Sequence, residues 1–255
     1  ERGAGSVLLI EAEDRAGYHA TGRSAAFWTE SYGGPKVQPL TTASGAFLRD
    51  GGFLLPRRAL TIGKAGQERD VARFAEQFAA LGVRVQPLDR TGLNAMVPGL
   101  HGEWTVGALE PDCCDIDVAA LHQHYLTAAA RGGVELLCRS GLKSAARKPG
   151  GWRLELADGS AVNCALLVNA AGAWADGIAT MAGVRPLGIT PYRRTMAQLR
   201  TAPGAPADMP LVLDIAERFY FKPEAGRVWL SPHDETPSEP CDAAAEELDV
   251  AMAID

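Results

Sequence analysis

The sequence predicts a mixed α/β protein, α+β over its whole length: an open, largely parallel sheet flanked by helices, interleaved with a mostly antiparallel β lobe. Three observations predict it. The apolar runs "SVLLIEAE" and "ALLVNA" have the continuous hydrophobicity of strands buried on both faces of a parallel sheet. Segments of helical periodicity alternate with such runs, as a layered sheet requires. Beyond Gly188 the texture changes to short β-rich runs broken by turns.

The first strand closes on Glu11. A helical pattern then runs from Ser24 to about Arg49, interrupted by "YGGPK", and "FLLPRRALTIG" reads as a strand with Pro56 near its start. "QERDVARFAEQFAALG" is an amphipathic helix with Val71, Phe74, Phe78 and Leu81 on one stripe and Gly82 as its stop. "VRVQPLD" is a short strand and "RTGLNAMVPGL" a small helical or turn segment. In "DIDVAALHQHYLTAAARGG", Asp115 or Asp117 is placed to cap a helix that turns Val118, Leu121, Tyr125 and Ala129 inward. "VELLC" follows as a strand. "GWRLELADGSAVNC" is a hairpin turning at Asp158-Gly159, and it feeds the buried strand "ALLVNA". "AWADGIATMAG" is a helix ending at Gly183, after which "ITPYRRTMAQLR" and "PLVLDIAERFYFKPEAGRVWLSP" read as antiparallel strands. The weave divides the chain into residues 1–55 with 112–186 as the α/β lobe and 56–111 with 187–255 as the β-rich lobe.

Composition narrows the function. With 255 residues, 47% of them apolar, the chain has ample core for one large domain or two interleaved ones. A net charge of −6, with no Lys/Arg cluster interleaved with aromatics, argues against a nucleic-acid partner. No apolar run approaches the roughly 20 residues of a transmembrane span, and the opening Glu1-Arg2 does not resemble a signal peptide. Five cysteines, an odd number without CxxC spacing, suit a reducing compartment, so a cytoplasmic protein is expected and the Cys113-Cys114 pair reads as free thiols. No metal is expected: His122 and His124 are two apart on a helix and face different ways, while His101 and His233 lack partners at ligand spacing. His19 alone lies inside a candidate site loop.

The chemistry concentrates at two loops. An acid closing the second strand of a βαβ unit is placed to accept hydrogen bonds from ribose hydroxyls, which is one reading of Glu11; a solvated strand end is the other. "TGRS" follows, with Thr21 and Ser24 supplying hydroxyls, Gly22 close backbone approach and Arg23 charge. It stands where a helix is expected to begin, and free N–H groups at helix starts bind phosphate. An ordinary helix cap reads the same way. "NAAGAWAD" at 169–176 is a second strand-to-helix turn, made of residues small enough to let something flat or anionic rest on the main chain. Two such turns with Glu11 point to a dinucleotide.

These stretches carry a resemblance. "EAEDRAGYHATGRSAAFWTESYG", "DIDVAALHQHYL" and "LLVNAAGAWADGIATMAGVRPL" resemble the D-amino-acid oxidase and dehydrogenase superfamily of FAD-dependent oxidoreductases, nearest its bacterial D-arginine-dehydrogenase-like members, over nearly the whole chain. The resemblance implies FAD as cofactor and a Rossmann-like FAD-binding lobe beside a substrate lobe. On it, Glu11 would hold the adenosine ribose, and Thr21, Arg23 and Ser24 the pyrophosphate and flavin side. The Gly141-Leu142 backbone would meet the adenine, and Ala170, Ala171, Gly172 and Trp174 would line the cofactor. It also implies a GxGxxG loop ahead of the strand that ends at Glu11. "RGAGS" at residues 2–6 does not supply it, because that stretch precedes a strand instead of joining strand to helix. The sequence thus resembles a family member with both ends absent, and the 255 residues alone are expected to be colourless and inactive; a remnant without FAD is the alternative from a different class.

The implied reaction oxidises a D-amino acid to an imino acid, which water converts to a 2-oxo acid and ammonia; a sarcosine- or glycine-oxidase-like amine oxidase is the nearer rival. An arginine fork suits the substrate carboxylate. In "YRRT" the alternation of a strand sends Arg193 and Arg194 to opposite faces, and the resemblance selects Arg194. Tyr220 in "ERFYFKP" would share the carboxylate, and Tyr32 before "GG" would cover the substrate. Phe27 puts an apolar ring at a helix position facing the flavin, and Ala59 leaves the pocket strand without a carboxylate for a guanidinium side chain. The expected substrate is therefore a neutral or apolar D-amino acid, with the electron acceptor left open.

Overall fold

The computed structural model describes residues 5–254, so part of the Arg2–Ser6 stretch lies outside the described residues. The fold is α/β with interleaved units, the class expected. The chain divides into two compact units: 1–24, 118–193 and 237–243 form the first, and 25–117, 194–236 and 244–255 the second. Residues 25–55, read from sequence as part of the α/β lobe, fall in the second.

The second unit is built on a seven-stranded sheet. Its spatial order is Ala197–Leu199, Arg227–Ser231, Tyr220–Glu224, Leu211–Asp214, Ala59–Lys64, Trp104–Glu110 and Gln86–Asp89. Neighbours run antiparallel except Leu211–Asp214, which lies parallel to Ala59–Lys64. Leu60, Ile62, Leu93, Val97, Trp104, Leu109, Met209 and Val212 form its main core. The amphipathic segment forms the helix Glu68–Ala79, with Val71, Ala75 and Phe78 buried. Its stop is as expected: Gly82 is left-handed at φ 85°, and Val83 N–H returns to the Phe78 carbonyl at 3.0 Å. Leu81 instead points out, because the chain has already left the helix beyond Ala79. "RTGLNAM" is a helix capped by Asp89, whose side chain accepts from Gly92 N–H at 2.9 Å.

Three readings in this unit are corrected. The helix expected from Ser24 begins only at Gln38 and runs to Asp50. Ala26 is left-handed at φ 51°, and Phe27–Trp28 is a strand paired antiparallel with Cys114–Ile116; this pairing outweighs the local helical pattern. "FLLPRRALTIG" is two strands, Leu54–Pro56 and Ala59–Lys64, broken at Arg58 with φ 77°. Asp115 caps no helix: it lies in the strand Cys114–Ile116 and pairs with Arg57 at 2.6 Å and with the buried Lys222 at 2.9 Å.

The first unit contains the parallel pair Leu8–Ile10 and Glu135–Leu137, the helix Val118–Arg131, and a three-stranded antiparallel sheet of Leu142–Lys148, Gly151–Leu156 and Ala161–Cys164. The hairpin turns at Asp158-Gly159 as expected, with Gly159 at φ 87°. Val118, Leu121 and Ala129 are half-buried, but Tyr125 is outward and His122 takes an inward place, its Cε1 2.8 Å from where a side chain on Gly17 would begin. "ALLVNA" forms no strand. Leu166 and Val168 are 75% and 73% exposed, and among the described residues no strand pairs with this run, so its β-propensity has no partner to act through. The helix Ala175–Met181 closes on Gly183 as read.

Candidate active site

The predicted cofactor residues all lie in the first unit. Glu11 extends the parallel ladder by one residue, donating N–H to the Leu137 carbonyl at 2.8 Å and accepting Ser140 N–H at 2.9 Å. Its carboxylate accepts Glu13 N–H through Oε1 at 3.0 Å, and Oε2 has no partner among the described residues. Gly141 lies beside it: a side chain there would meet Ala12 Cβ at 3.2 Å. Glu11, Ala12 and Gly141-Leu142 are therefore brought together.

The segment after Glu11 doubles back. Gly22 N–H donates to the Gly17 carbonyl at 2.8 Å, and a Cβ on Gly22 would stand 2.6 Å from that oxygen, so the turn requires glycine. Thr21–Arg23 is one turn of 3₁₀ helix followed by extended chain, not the start of a long helix, and the Gly22 and Arg23 N–H groups are already used, by the Gly17 and Ala20 carbonyls. Thr21 and Ser24 are exposed. Arg23 is already engaged: it pairs with Asp242, donates to the Ala243 carbonyl at 2.7 Å and lies over the Tyr18 ring at 5.3 Å. The Arg23 guanidinium and the Tyr18 hydroxyl together hold the Asp242 carboxyl below the usual range.

The second turn meets the first. Ala170 and Gly172 are exposed, Ala171 is half-buried, and Gly172 is left-handed at φ 54° with nothing within 4 Å of an added Cβ. Asn169 clamps the turn from both sides, donating to the Ala175 carbonyl at 2.8 Å and accepting Ala171 N–H at 3.3 Å. Sequence reasoning passed over Asn169, although an amide ahead of two alanines and a glycine is suited to bridging a tight turn. The Trp174 ring lies 4.6 Å from His19, which is itself 2.9 Å from Glu13. The first unit thus carries a carboxylate oxygen of Glu11 without a partner among the described residues, a turn of small residues at 170–172 and the Trp174 indole. Those features fit a flat nucleotide cofactor.

The predicted substrate residues lie in the second unit, and they too come together. Phe27, in its strand, packs edge-on against Tyr32 at 5.2 Å and Tyr220 at 5.7 Å. Tyr32 sits on a turn whose Gly33 and Gly34 are both at φ 81°. That turn is anchored by the buried Glu110, which accepts from Thr29 Oγ1 at 2.6 Å, Glu30 N–H at 2.7 Å and Ser31 Oγ at 2.6 Å. Tyr220 is 6% exposed, and burial, reinforced by Tyr32, pushes its phenol up to about 12 against the opposing influence of Ser231 and Arg194. Arg194 donates to Glu235 at 2.8 Å.

His233 joins this cluster, a role its sequence did not reveal. Its ring is 5.1 Å from that of Tyr220, and its Nδ1 is 2.8 Å from the Glu217 carbonyl, which can only accept. Nδ1 therefore carries a proton, and Nε2 lies 3.4 Å from the Tyr32 hydroxyl. Among the described residues no group of three or more His, Cys, Asp or Glu could hold a metal, and no helix is long and apolar enough to cross a membrane.

The chain is 34% identical over 136 residues to hydrogen cyanide synthase subunit HcnC of Pseudomonas aeruginosa, a match covering 50% of this chain and 32% of that protein, or about a third of its length. Its fold resembles glycine oxidase from Geobacillus kaustophilus, with a TM-score of 0.78 at 18% identity over 98% of this chain and 70% of the other. It also resembles an FAD-bound L-alpha-glycerophosphate oxidase from Mycoplasma pneumoniae, with a TM-score of 0.83 at 15% identity over 97% of this chain and 70% of the other. The family model for FAD dependent oxidoreductases, DAO, matches residues 1–253. A matching surface poor in side chains, a strand-end carboxylate and a match over almost the full chain lead to one conclusion: the chain belongs to the DAO family of FAD-dependent oxidoreductases.

Proposed function

We propose that the protein oxidises a D-amino acid to an imino acid, which hydrolyses to a 2-oxo acid and ammonia. We assign the cofactor to the first unit and the substrate to the second, near the lobes read from sequence. The observation that carries this reading is the packing of Tyr220 and Tyr32 on an apolar ring, Phe27, with Arg194 of the same unit near enough to influence the Tyr220 phenol. Bound FAD supplies the acceptor for the hydride lost from Cα. The chain supplies binding and orientation. Arg194 offers a guanidinium fork to the substrate carboxylate. Tyr220, held protonated far above neutral pH, donates its O–H to the same carboxylate. Tyr32 covers the substrate, and Phe27 and Ala59 favour a neutral or apolar side chain. Glu11 would bind the adenosine ribose through Oε2, with the Gly141-Leu142 backbone against the adenine. Thr21 and Ser24 would serve the pyrophosphate and flavin side, where Arg23 acts as a charge already balanced by Asp242. Ala170, Ala171, Gly172 and Trp174 would line the flavin.

All five cysteines are free, which supports a cytoplasmic setting. Anaerobic mixing of the purified flavoprotein with single amino acids tests the assignment. D-leucine or D-alanine should bleach the flavin absorbance while the L-enantiomers leave it unchanged. Bleaching by glycine or sarcosine alone would replace this reading with that of an amine oxidase of the glycine-oxidase kind, to which the fold likeness also extends.

A further inference from the structure

We propose that Glu235 recognises the α-ammonium group of the substrate, so that Arg194 and Glu235 together read the amino-acid zwitterion; this rests on the assignment of Arg194 to the carboxylate. Arg194 Nη2 donates to Glu235 Oε1 at 2.8 Å. That contact uses one of the five N–H groups of the guanidinium, leaving others for a second carboxylate. The Arg194 and Glu235 side chains keep 35% and 67% of their surface, and an ion pair so exposed contributes at most about 1 kcal/mol, so a ligand can enter it without breaking a strong bond.

The pair is held in place from behind. Next to Arg194, the buried Thr195 donates its N–H to Asp234 Oδ1 at 2.6 Å and its hydroxyl to Asp234 Oδ2 at 2.9 Å, with Asp249 3.4 Å from the same hydroxyl. Asp234 is thereby fully engaged, and it fixes its neighbour Glu235 opposite Arg194. Glu235 is the carboxylate left available beside the Arg194–Tyr220 cluster. An α-amino acid carries its two charges on adjacent carbons, an arrangement complementary to a guanidinium and a carboxylate held side by side.

The test uses the flavin-bound protein and two ligands of similar shape. 2-Aminoisobutyrate is a zwitterion without a hydrogen on Cα and cannot be oxidised; isobutyrate lacks the amine. Their affinities are read from the perturbation of flavin absorbance. In Glu235→Gln, binding of 2-aminoisobutyrate should weaken about tenfold, as expected for the loss of one charge-assisted contact, while isobutyrate changes less than about twofold. Equal affinities for both ligands in variant and wild type would overturn the proposal. So would tighter binding of both, which would make Glu235 a mere competitor for Arg194. If isobutyrate affinity survives Arg194→Met, or the wild type binds neither ligand, the assignment of Arg194 itself falls, and the proposal with it.

Discussion

The strands Ala59–Lys64 of the second unit and Leu8–Ile10 of the first are both short and apolar, yet their surroundings differ. Ala59 to Gly63 are buried between neighbours on both edges, and Leu60 and Ile62 have no exposed surface. Leu8–Ile10 has one described partner strand, and Leu9 is 41% exposed. The contrast extends to the units. Among the described residues, only Leu154, Leu156 and Ala179 are buried apolar side chains of the first unit, whereas the second holds a continuous core. The unit with the larger core contains Arg194, Tyr220 and Tyr32, proposed for the substrate; the unit with the sparse core contains Glu11 and Gly172, proposed for the cofactor. On the proposed assignment, a bound cofactor has the most to add to the stability of the first unit.

The largest expected effect separates the two units directly. Leu60→Ala should cost about 2–5 kcal/mol by chemical denaturation, because it empties space in a closed core. Val168→Ala, at an exposed site in the first unit, should stay within about 0.5 kcal/mol. Comparable losses at the two sites would end the comparison. Next comes Glu110→Ala, which strips three donors of a buried acceptor and should cost about 2–3 kcal/mol. By loosening the Tyr32 turn it should also raise KM more than it lowers kcat, and a variant with an unchanged KM would detach that turn from the substrate.

Sequence alone carried local signals in both units. The stripe of Val71 and Phe78 and the stop at Gly82 in the second unit are written in local residues, as is the Asp158-Gly159 turn in the first. What could not be read depends on distant partners. Phe27–Trp28 is a strand because Cys114–Ile116 lies beside it, and Asp115 is an ion-pair centre because Lys222, more than a hundred positions away, is buried against it. "ALLVNA" shows the reverse: a run with strand composition stays irregular where no partner strand is present. At the candidate site, the sequence nominates Glu11, Arg194, Tyr220 and Tyr32 by residue type alone. It does not nominate Asn169, His233 or Glu235, whose contacts, a turn clamp, a hydrogen bond with the Glu217 carbonyl and an ion pair with Arg194, are defined only by the fold.

Glu11→Ala sharpens the contrast at a smaller scale. Removing the carboxylate should lower FAD affinity about tenfold to a hundredfold, corresponding to about 1.5–3 kcal/mol, without moving the intrinsic stability of the second unit. Flavin content equal to that of wild type would remove Glu11 from the ribose site. The smallest effect is a pH dependence. Because burial raises the Tyr220 phenol from 10.0 to about 12, the folded protein holds that proton more tightly than the unfolded chain. The stabilisation is complete below pH 10 and is lost as pH rises through 12, an effect on the order of 2 kcal/mol. Tyr220→Phe should flatten this part of the stability profile; an unaltered slope would place the phenol in water.

Hydrogen exchange with and without FAD tests most directly whether the first unit is the one that the cofactor completes. Added FAD should slow exchange in peptides covering 8–24, 135–142 and 169–176, where Glu11, Gly141 and Gly172 lie, and leave Leu211–Asp214 in the closed core as slow as before. Protection that appeared in Leu211–Asp214 and not around Glu11 and Gly172 would contradict the assignment of FAD to the first unit.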